Sequence, residues 1–467
     1  MPEIKSPRDL IHALVGTLNT NDETVMVRFI QKWNLPTSPA SERARRWMNL
    51  VREGGPFTLI SDGKVTGDEV DAFVVDKNAT RLVFRLHIES KPNLRMVGLQ
   101  IAPAFTVEGA APDLGKWTTL TQLASLVAKK HGSPGMGIAI IENGVPQIGV
   151  AGIRVVKSHD QVLPDDVWSI GSIGKSICAT VIGRLIEMHK LSWGETLRTA
   201  LPGYPMHGGY DRVTLEQIMH HRGGIPADLG FHDQEIRRIV GSAKTVTDIR
   251  SKYVVDILSR RPEASPNERF IYSNAGYALL SHIAEMATGE SYEKLVRDLV
   301  FKPLGMGHSY TDVDSLPKGR PKGHVMSPSG LVAQDMTGPM ESMMSGAGGG
   351  MFMSVGDLAK FGQAHLNGLR GKDGILKSAT IKRLHAGTPE QPPGGRLYAC
   401  GWGIESLPGL ETFHGHNGSN GTMRSQIAIF PNANLVVVAI VNRGGEDEPA
   451  PGLEAMMAIA RRSAAKR

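Results

Sequence analysis

Apolar side chains return at helical spacing near the amino terminus, first as Leu10, Ile11, Leu14, Val15 and Leu18, then as Val25, Met26, Phe29, Ile30 and Trp33. Each stripe predicts an amphipathic helix, the second capped by Asn21 or Asp22. A third helical stretch is expected over about 41–52. The period then changes to two: Leu82, Phe84, Leu86 and Ile88 alternate with Arg81, Arg85 and His87, as in a half-buried strand. Helices followed by strands make residues 1–103 a small α+β unit. Gly109, Pro112 and Gly115 mark 104–116 as a linker. An amphipathic helix follows at about 117–131, then two apolar runs, 137–142 and 148–154, joined through Asn143-Gly144, a strong hairpin signal. The stretch from about 165 to 400 is mainly helical and rich in loops. A second apolar hairpin, 426–430 and 435–442, turns across Pro431-Asn432, and a last helix covers about 451–463. Strands at both ends of a region with helices between them imply one sheet whose edges are distant in sequence.

Composition narrows the class. The chain has 467 residues, of which 41% are hydrophobic and 21% charged, which excludes disorder, collagen and coiled coil. That length suits one large domain with an appendage. No apolar run reaches the roughly 18 residues of a membrane span. Two cysteines make neither a disulfide framework nor a cysteine-based zinc site. Residues 1–20 contain Glu3, Arg8 and Asp9 and do not read as a signal peptide. Two compartments stay open on that ground: the cytoplasm, or the periplasm or exterior if a leader was removed.

Lys and Arg number 52 against 46 Asp and Glu, a net charge of +6, with a pI near 9.2. Residues 1–115 are balanced at 14 basic and 14 acidic. Arg461, Arg462, Lys466 and Arg467 carry much of the excess in a terminal segment, 461–467, expected to be a fraying basic tail. No nucleic-acid motif, aromatic platform or basic helix stands behind the pI, so no nucleic-acid partner is expected.

Three short motifs carry chemistry. In Ser172-Ile173-Gly174-Lys175, a serine at a helix start has a lysine on the same face one turn later. A nucleophilic serine needs an adjacent base, and the amine can serve. The same spacing recurs as Ser315-Leu316-Pro317-Lys318 and Ser463-Ala464-Ala465-Lys466, in a loop-like and a tail setting. Only in the first copy is the lysine the sole charge between Ser172 and Gly183, in a helix apolar nearly all round. Such a helix is buried, and a lone lysine in it must be paired or have a depressed pKa. Gly174-Lys175-Ser176 mimics the end of a phosphate-binding loop, but Ser169 stands where the loop needs glycine.

In Tyr272-Ser273-Asn274, an extended backbone would point phenol and amide to one cleft. A tyrosinate is a competent base beside a cation such as Lys175. In His416-Asn417-Gly418, followed by Ser419, glycine allows close approach. The backbone N–H groups of Ser172 and Ser419 can then form an oxyanion hole. His414-Gly415-His416 lacks a third ligand at metal spacing, and neither metal nor cofactor is expected.

Taken in order, Ser172-x-x-Lys175, Tyr272-x-Asn274 and His416-x-Gly418 resemble the serine β-lactamase and penicillin-binding superfamily, in its class C-like branch with esterases, D-aminopeptidases and DD-peptidases. Further blocks are similar: 213–225, 266–280, Pro303-Leu304-Gly305-Met306, Gly348-Gly349-Gly350-Met351 and Gly401-Trp402-Gly403. The resemblance covers about 117–460. It implies an α+β fold, an antiparallel sheet flanked by helices with a mainly helical subdomain and the site between them. It implies Ser172 as acylated nucleophile, Lys175 as its partner and Tyr272 as general base. Asn274, His416, Gly418 and Ser419 would bind substrate, a small ester, amide or peptide. His220 and His221 lie in a segment that is structural in the family. Most of these enzymes carry lysine where His416 stands, and histidine is mostly neutral at pH 7. That favours an esterase or D-amino-acid peptidase over a β-lactamase or DD-carboxypeptidase. A catalytically silent binder of peptidoglycan-like peptides or a partner is the reading from another class. By element order, residues 1–103 resemble the cone-shaped nuclear-transport-factor-like domains. Oligomeric state stays open.

Overall fold

The computed structural model describes residues 4, 6–33, 40–61, 65–66, 69–75, 77, 81–89, 95–103, 114, 116–227, 234–327, 330–337, 341, 343–389, 397–407, 410–445 and 450–466. Two compact units divide at 110–111. Most of the expected linker, 104–113 and 115, lies outside the described residues.

The first unit has helices Pro7–Asn19, Glu23–Trp33 and Ala40–Gly54, where the apolar spacing predicts them. Ser6 and Asp9 cap the first reciprocally, each side chain taking the other's backbone N–H. Asp22 caps the second through the Thr24 N–H at 2.8 Å. An antiparallel sheet follows, in the order Thr58–Ser61, Glu69–Val75, Arg81–Glu89, Arg95–Pro103, with Val65–Thr66 also paired to Glu69–Val75. Phe84, Leu86 and Ile88 are buried as the alternation requires and share a core with Leu10, Leu14 and Leu18.

The second unit is built on an eight-stranded sheet, all antiparallel. Its order runs Thr388–Pro389, Leu397–Tyr398, Gly403–Glu405, Phe413–Ser419, Arg424–Phe430, Leu435–Val441, Gly135–Glu142, Val145–Gly152. Asn143 and Gly144 turn the first hairpin with φ of 53° and 82°, the two positive values a type I′ turn needs. The two hairpins meet through Leu435–Val441 against Gly135–Glu142, the sixth and seventh strands of the eight.

Leu435–Val441 is buried at every position because both faces are covered. Val436, Val438 and Ile440 join the core that contains Ile177 and Leu358. Leu435, Val437, Ala439 and Val441 join the core of the helices Leu120–Lys130 and Pro451–Ala464. The period of two along one strand therefore sorts the unit into two layers of helix around one sheet.

The carboxyl-terminal segment corrects an expectation. Residues 461–464 belong to the helix Pro451–Ala464 rather than to a separate tail. The Arg462 guanidinium lies 4.3 Å from the centre of the Trp117 ring, Ser463 is buried, and Lys466 reaches Glu142 at 3.3 Å. A ring face and a carboxylate distant in sequence hold charges that look unpartnered in the tail itself. No helix among the described residues is long and apolar enough to cross a membrane.

The helical insertion is tied down by one buried cation. Arg250, 0% exposed, bridges Glu285 at 2.7 Å and Glu293 at 2.9 Å. It thereby joins helices Val246–Ser259, Asn274–Thr288 and Tyr292–Val296. Ser345 donates to Glu293 at 3.2 Å. Arg250→Ala leaves the buried Glu285 and the partly buried Glu293 without their cation, and the expected loss is about 3–5 kcal/mol. Denaturant unfolding followed by circular dichroism measures it, and a loss below 1 kcal/mol contradicts the clamp.

Candidate active site

Ser172 lies in a 3₁₀ turn, Gly171–Ile173, that runs into the helix Gly174–Glu187. Every residue from Gly174 to Gly183 is buried. Lys175 is 0% exposed, so its ammonium must find polar partners within the protein. Its Nζ lies 3.0 Å from Ser172 Oγ, 2.6 Å from Asn274 Oδ1 and 3.3 Å from the Ala347 carbonyl. The centre of the Tyr272 ring is 4.6 Å away.

The Tyr272-x-Asn274 segment is not one extended run. Ser273 caps the helix Asn274–Thr288, its hydroxyl accepting from the Gly276 N–H at 2.8 Å and donating to the Pro226 carbonyl at 2.5 Å. Tyr272 and Asn274 thus flank a cap, and both still meet the same cation. Asn274 directs its oxygen to Lys175, a contact the spacing does not announce.

Two tyrosines stand near Lys175, and their surroundings separate them. Tyr277 is fully buried, donates its hydroxyl to the Met219 carbonyl at 2.7 Å, and has its phenol pushed well up by burial. Tyr272 is 37% exposed and lines a cleft of about 360 Å³. Only Tyr272 is in a position to exchange a proton with a ligand there.

Ser172, Tyr272, His416, Gly418 and Ser419 line the same cleft, with Asn417 and two aromatics the motifs do not contain, Phe270 and Tyr398. Lys175 and Asn274 lie behind Ser172. The strand Phe413–Ser419 runs beside the serine turn because Gly418 has no side chain: a Cβ there would press into the Ile170 carbonyl and Ser425 Oγ. Ser425 Oγ in turn donates to Ile170 O at 2.7 Å. This close approach brings the backbone of Ser419 against Gly171, next to the Ser172 N–H.

His416 is 2% exposed, with Nδ1 2.6 Å from the Asn417 carbonyl and Nε2 3.0 Å from the Tyr398 hydroxyl. His221, not assigned a site role, packs against the rings of Tyr272, Tyr277 and Tyr398 at 4.5, 5.1 and 4.8 Å. Burial first, then the charges of Lys175 and His416, hold its imidazole well below the usual range. Its Nδ1 accepts the Ser273 N–H at 3.1 Å. It supports the aromatic wall under the Tyr272 ring.

Residues 119–461 match the family described as Beta-lactamase. The chain belongs to the β-lactamase family. Penicillin-binding protein 4 of Amycolatopsis lactamdurans is 25% identical over 340 residues, 68% of this chain and 82% of that protein. Other curated relatives are longer, and the chain spans 58% and 61% of two of them. The octameric penicillin-binding protein homologue from Pyrococcus abyssi superposes with a TM-score of 0.61 at 28% identity, over 73% of this chain and 77% of that one. D-amino acid amidase from Ochrobactrum anthropi SV3, at 20% identity, shares the fold, with a TM-score of 0.60 over 74% of this chain and 97% of that one. The fold is thus the β-lactamase-like α+β fold, and the chain is a member of a serine hydrolase superfamily.

Within this β-lactamase fold, a row of three imidazoles ties the serine helix to the strand of His416. Thr180 donates its only hydroxyl proton to Ser176 O at 2.8 Å, so it accepts from His365 Nε2 at 3.0 Å. His365 Nδ1 must then accept from His385 Nε2 at 2.9 Å, and His385 Nδ1 from His414 Nδ1 at 3.1 Å. With all three rings neutral, the donations run one way along the row, from His414 to Thr180. Among the described residues, no group of three or more His, Cys, Asp and Glu side chains is arranged to hold a metal.

Sequence reasoning misses Phe270, Tyr398 and the Ala347 carbonyl. Phe270 stands two residues before Tyr272, and alternation in an extended segment would have put it on the same side. Tyr398 and Ala347 have no local signal, since each reaches the site only through tertiary pairing.

Burial, above all, holds His365 at about 3 and His414 at about 4, and pushes His385 well down. An unfolded histidine takes up a proton near pH 6.5, which the folded rings refuse. Their contribution to stability is therefore full above about pH 6.5 and is lost as pH falls towards the folded values, by about 1.4 kcal/mol per pH unit per ring. In His365→Asn, the slope of unfolding free energy between pH 6.5 and 4.5 falls by about one proton. Urea unfolding across that range measures the slope, and an unchanged slope refutes the assignment.

Proposed function

We propose that this chain cleaves an ester or amide bond through an acyl-enzyme on Ser172, and that it acts on short esters or small D-amino-acid peptides and amides. The observation that carries this is the fully buried Lys175 ammonium 3.0 Å from Ser172 Oγ, with Tyr272 beside it on the open cleft. A cation near the phenol ring stabilises the phenolate. Tyr272 then takes the Ser172 proton as Oγ bonds to the substrate carbonyl carbon. The carbonyl oxygen becomes an alkoxide held by the Ser172 and Ser419 N–H groups. Collapse breaks the ester C–O or amide C–N bond, and the leaving group departs with the proton from Tyr272. In the second half, water gives a proton to Tyr272 and its oxygen bonds to the acyl carbon. The Ser172 ester breaks and Oγ recovers the proton.

Substrate preference follows from what stands at 416. A lysine would offer a permanent cation to a substrate carboxylate. The imidazole of His416 lies between Tyr398 and a carbonyl instead, and the described lining of the cleft contains no Asp, Glu, Arg or Lys. This favours neutral esters and amides over β-lactams and over peptides with a free terminal carboxylate. The D-amino acid amidase among the solved neighbours supports the amide arm. For residues 1–103 we propose a packing or docking appendage of nuclear-transport-factor-like type, on the order of its helices and strands.

Ser172→Ala is expected to lower kcat/KM on a nitrophenyl ester at least about 10³-fold. Full activity in that variant sinks the proposal. In a parallel screen, nitrophenyl esters and D-amino-acid anilides are expected to turn over faster than nitrocefin. A fluorophosphonate that fails to add to Ser172 by intact-mass spectrometry favours the silent binder. Gly418→Ala forces the strand away from the serine turn and separates the two N–H donors. Its expected effect is a loss of about 10²-fold in kcat, read from ester hydrolysis by protein with unchanged circular dichroism.

A further inference from the structure

We propose that Tyr398 is a positioning residue for hydrolysis at Ser172, acting through His416; this rests on the reading of the cleft given above. The argument begins with the two nitrogens of one buried ring. His416 Nδ1 lies 2.6 Å from the Asn417 carbonyl. A carbonyl oxygen only accepts, so the proton of the neutral imidazole is on Nδ1. Nε2 then has a lone pair, and the group 3.0 Å from it is the Tyr398 hydroxyl. Tyr398 must donate. Its O–H therefore selects one tautomer of His416 and fixes the angle of the ring.

Tyr398 is itself held firmly enough to do this. It is 1% exposed. Its backbone pairs with Thr388 on one side and Gly403 on the other. Its ring packs edge-on against Phe270 at 5.5 Å and Tyr272 at 6.4 Å, and against His221 at 4.8 Å. The His416 ring centre is 6.5 Å from that of Tyr272. Loss of the Tyr398 hydroxyl would remove one of the contacts that fix the His416 ring, beside the proposed base. The orientation of this ring is thus set by a phenol 18 residues earlier.

A double-mutant cycle in kcat/KM tests the coupling. With a nitrophenyl ester and a D-amino-acid anilide, Tyr398→Phe is expected to lower kcat/KM by about tenfold, the worth of one buried hydrogen bond, mainly through KM. In a His416→Gln background the same substitution is expected to change it by less than about twofold. Equal losses in both backgrounds, or no loss in the first, overturn the proposal, because a merely structural tyrosine gives additive effects. Long-range ¹⁵N–¹H spectra of the folded protein test the tautomer without any substrate. A proton on Nδ1 of His416 is expected, and one on Nε2 overturns the proposal. Activity that survives Ser172→Ala would instead bring down the hydrolase reading, and it leaves the tautomer measurement to decide the dyad.

Discussion

Lys175 places a charged amine where none of its surface meets water, and the catalytic half of the chain is arranged around that constraint. A buried ammonium without partners is costly enough to lose its proton or unfold the site. Oxygens that meet it come from three segments: Ser172 from its own turn, Asn274 from a helix start, and Ala347 from a tight turn. None of those segments can shift without uncovering the charge. The Arg250 clamp acts one shell further out, since Glu293 receives both that guanidinium and the Ser345 hydroxyl, two residues from the Ala347 carbonyl. Stability and site geometry therefore rest on the same pair of buried cations.

The sheet supplies the other half of the geometry. Phe413–Ser419 delivers His416 and the Ser419 N–H to the serine turn, and it can approach because position 418 has no Cβ. Behind it, the imidazole row from His414 to Thr180 joins this strand to the helix of Lys175. Neutral rings in a fixed donor order hold two elements in register without placing further charge near Lys175. A salt bridge in the same place would add a second field to a site whose one ammonium already sets the chemistry.

What the sequence reveals divides along the distance over which each signal acts. Ser172 and Lys175 are legible because they are one helical turn apart, and the apolar run around them announces burial. Asn143-Gly144 is legible because a two-residue turn demands positive φ at both positions. The last hairpin and the strand at 81–89 follow from local period. Tyr398 is different: it belongs to a two-residue strand, Leu397–Tyr398, and its importance comes from pairing that no window of sequence contains. The segment at 461–467 misleads for the same reason. The charges of Arg462 and Lys466 look unpartnered in isolation, but Trp117 and Glu142, more than 300 positions away, receive them. His414 and His416 invite a metal reading by spacing, and only the structure shows each ring facing a different protein partner.

The charges of the cleft point to a division of labour. The Lys175 ammonium faces Ser172 Oγ, an amide oxygen and a carbonyl inside the protein, and the described lining of the cleft contains no Asp, Glu, Arg or Lys. The imidazole at 416 has one nitrogen facing the Asn417 carbonyl and the other the Tyr398 hydroxyl, so both are engaged within the protein. What is left to recognise a substrate is the exposed face of Tyr272, the neighbouring Phe270 ring and the polar strand end at Asn417–Ser419. Ring faces and neutral polar groups discriminate by shape and hydrogen bonding, and they do little to overcome the desolvation of a carboxylate. On the reading proposed above, a β-lactamase-like scaffold with this cleft would favour neutral over anionic substrates. In the proposed arrangement the residue at 416 weighs on that preference, and Tyr398, itself on the cleft wall, would orient it.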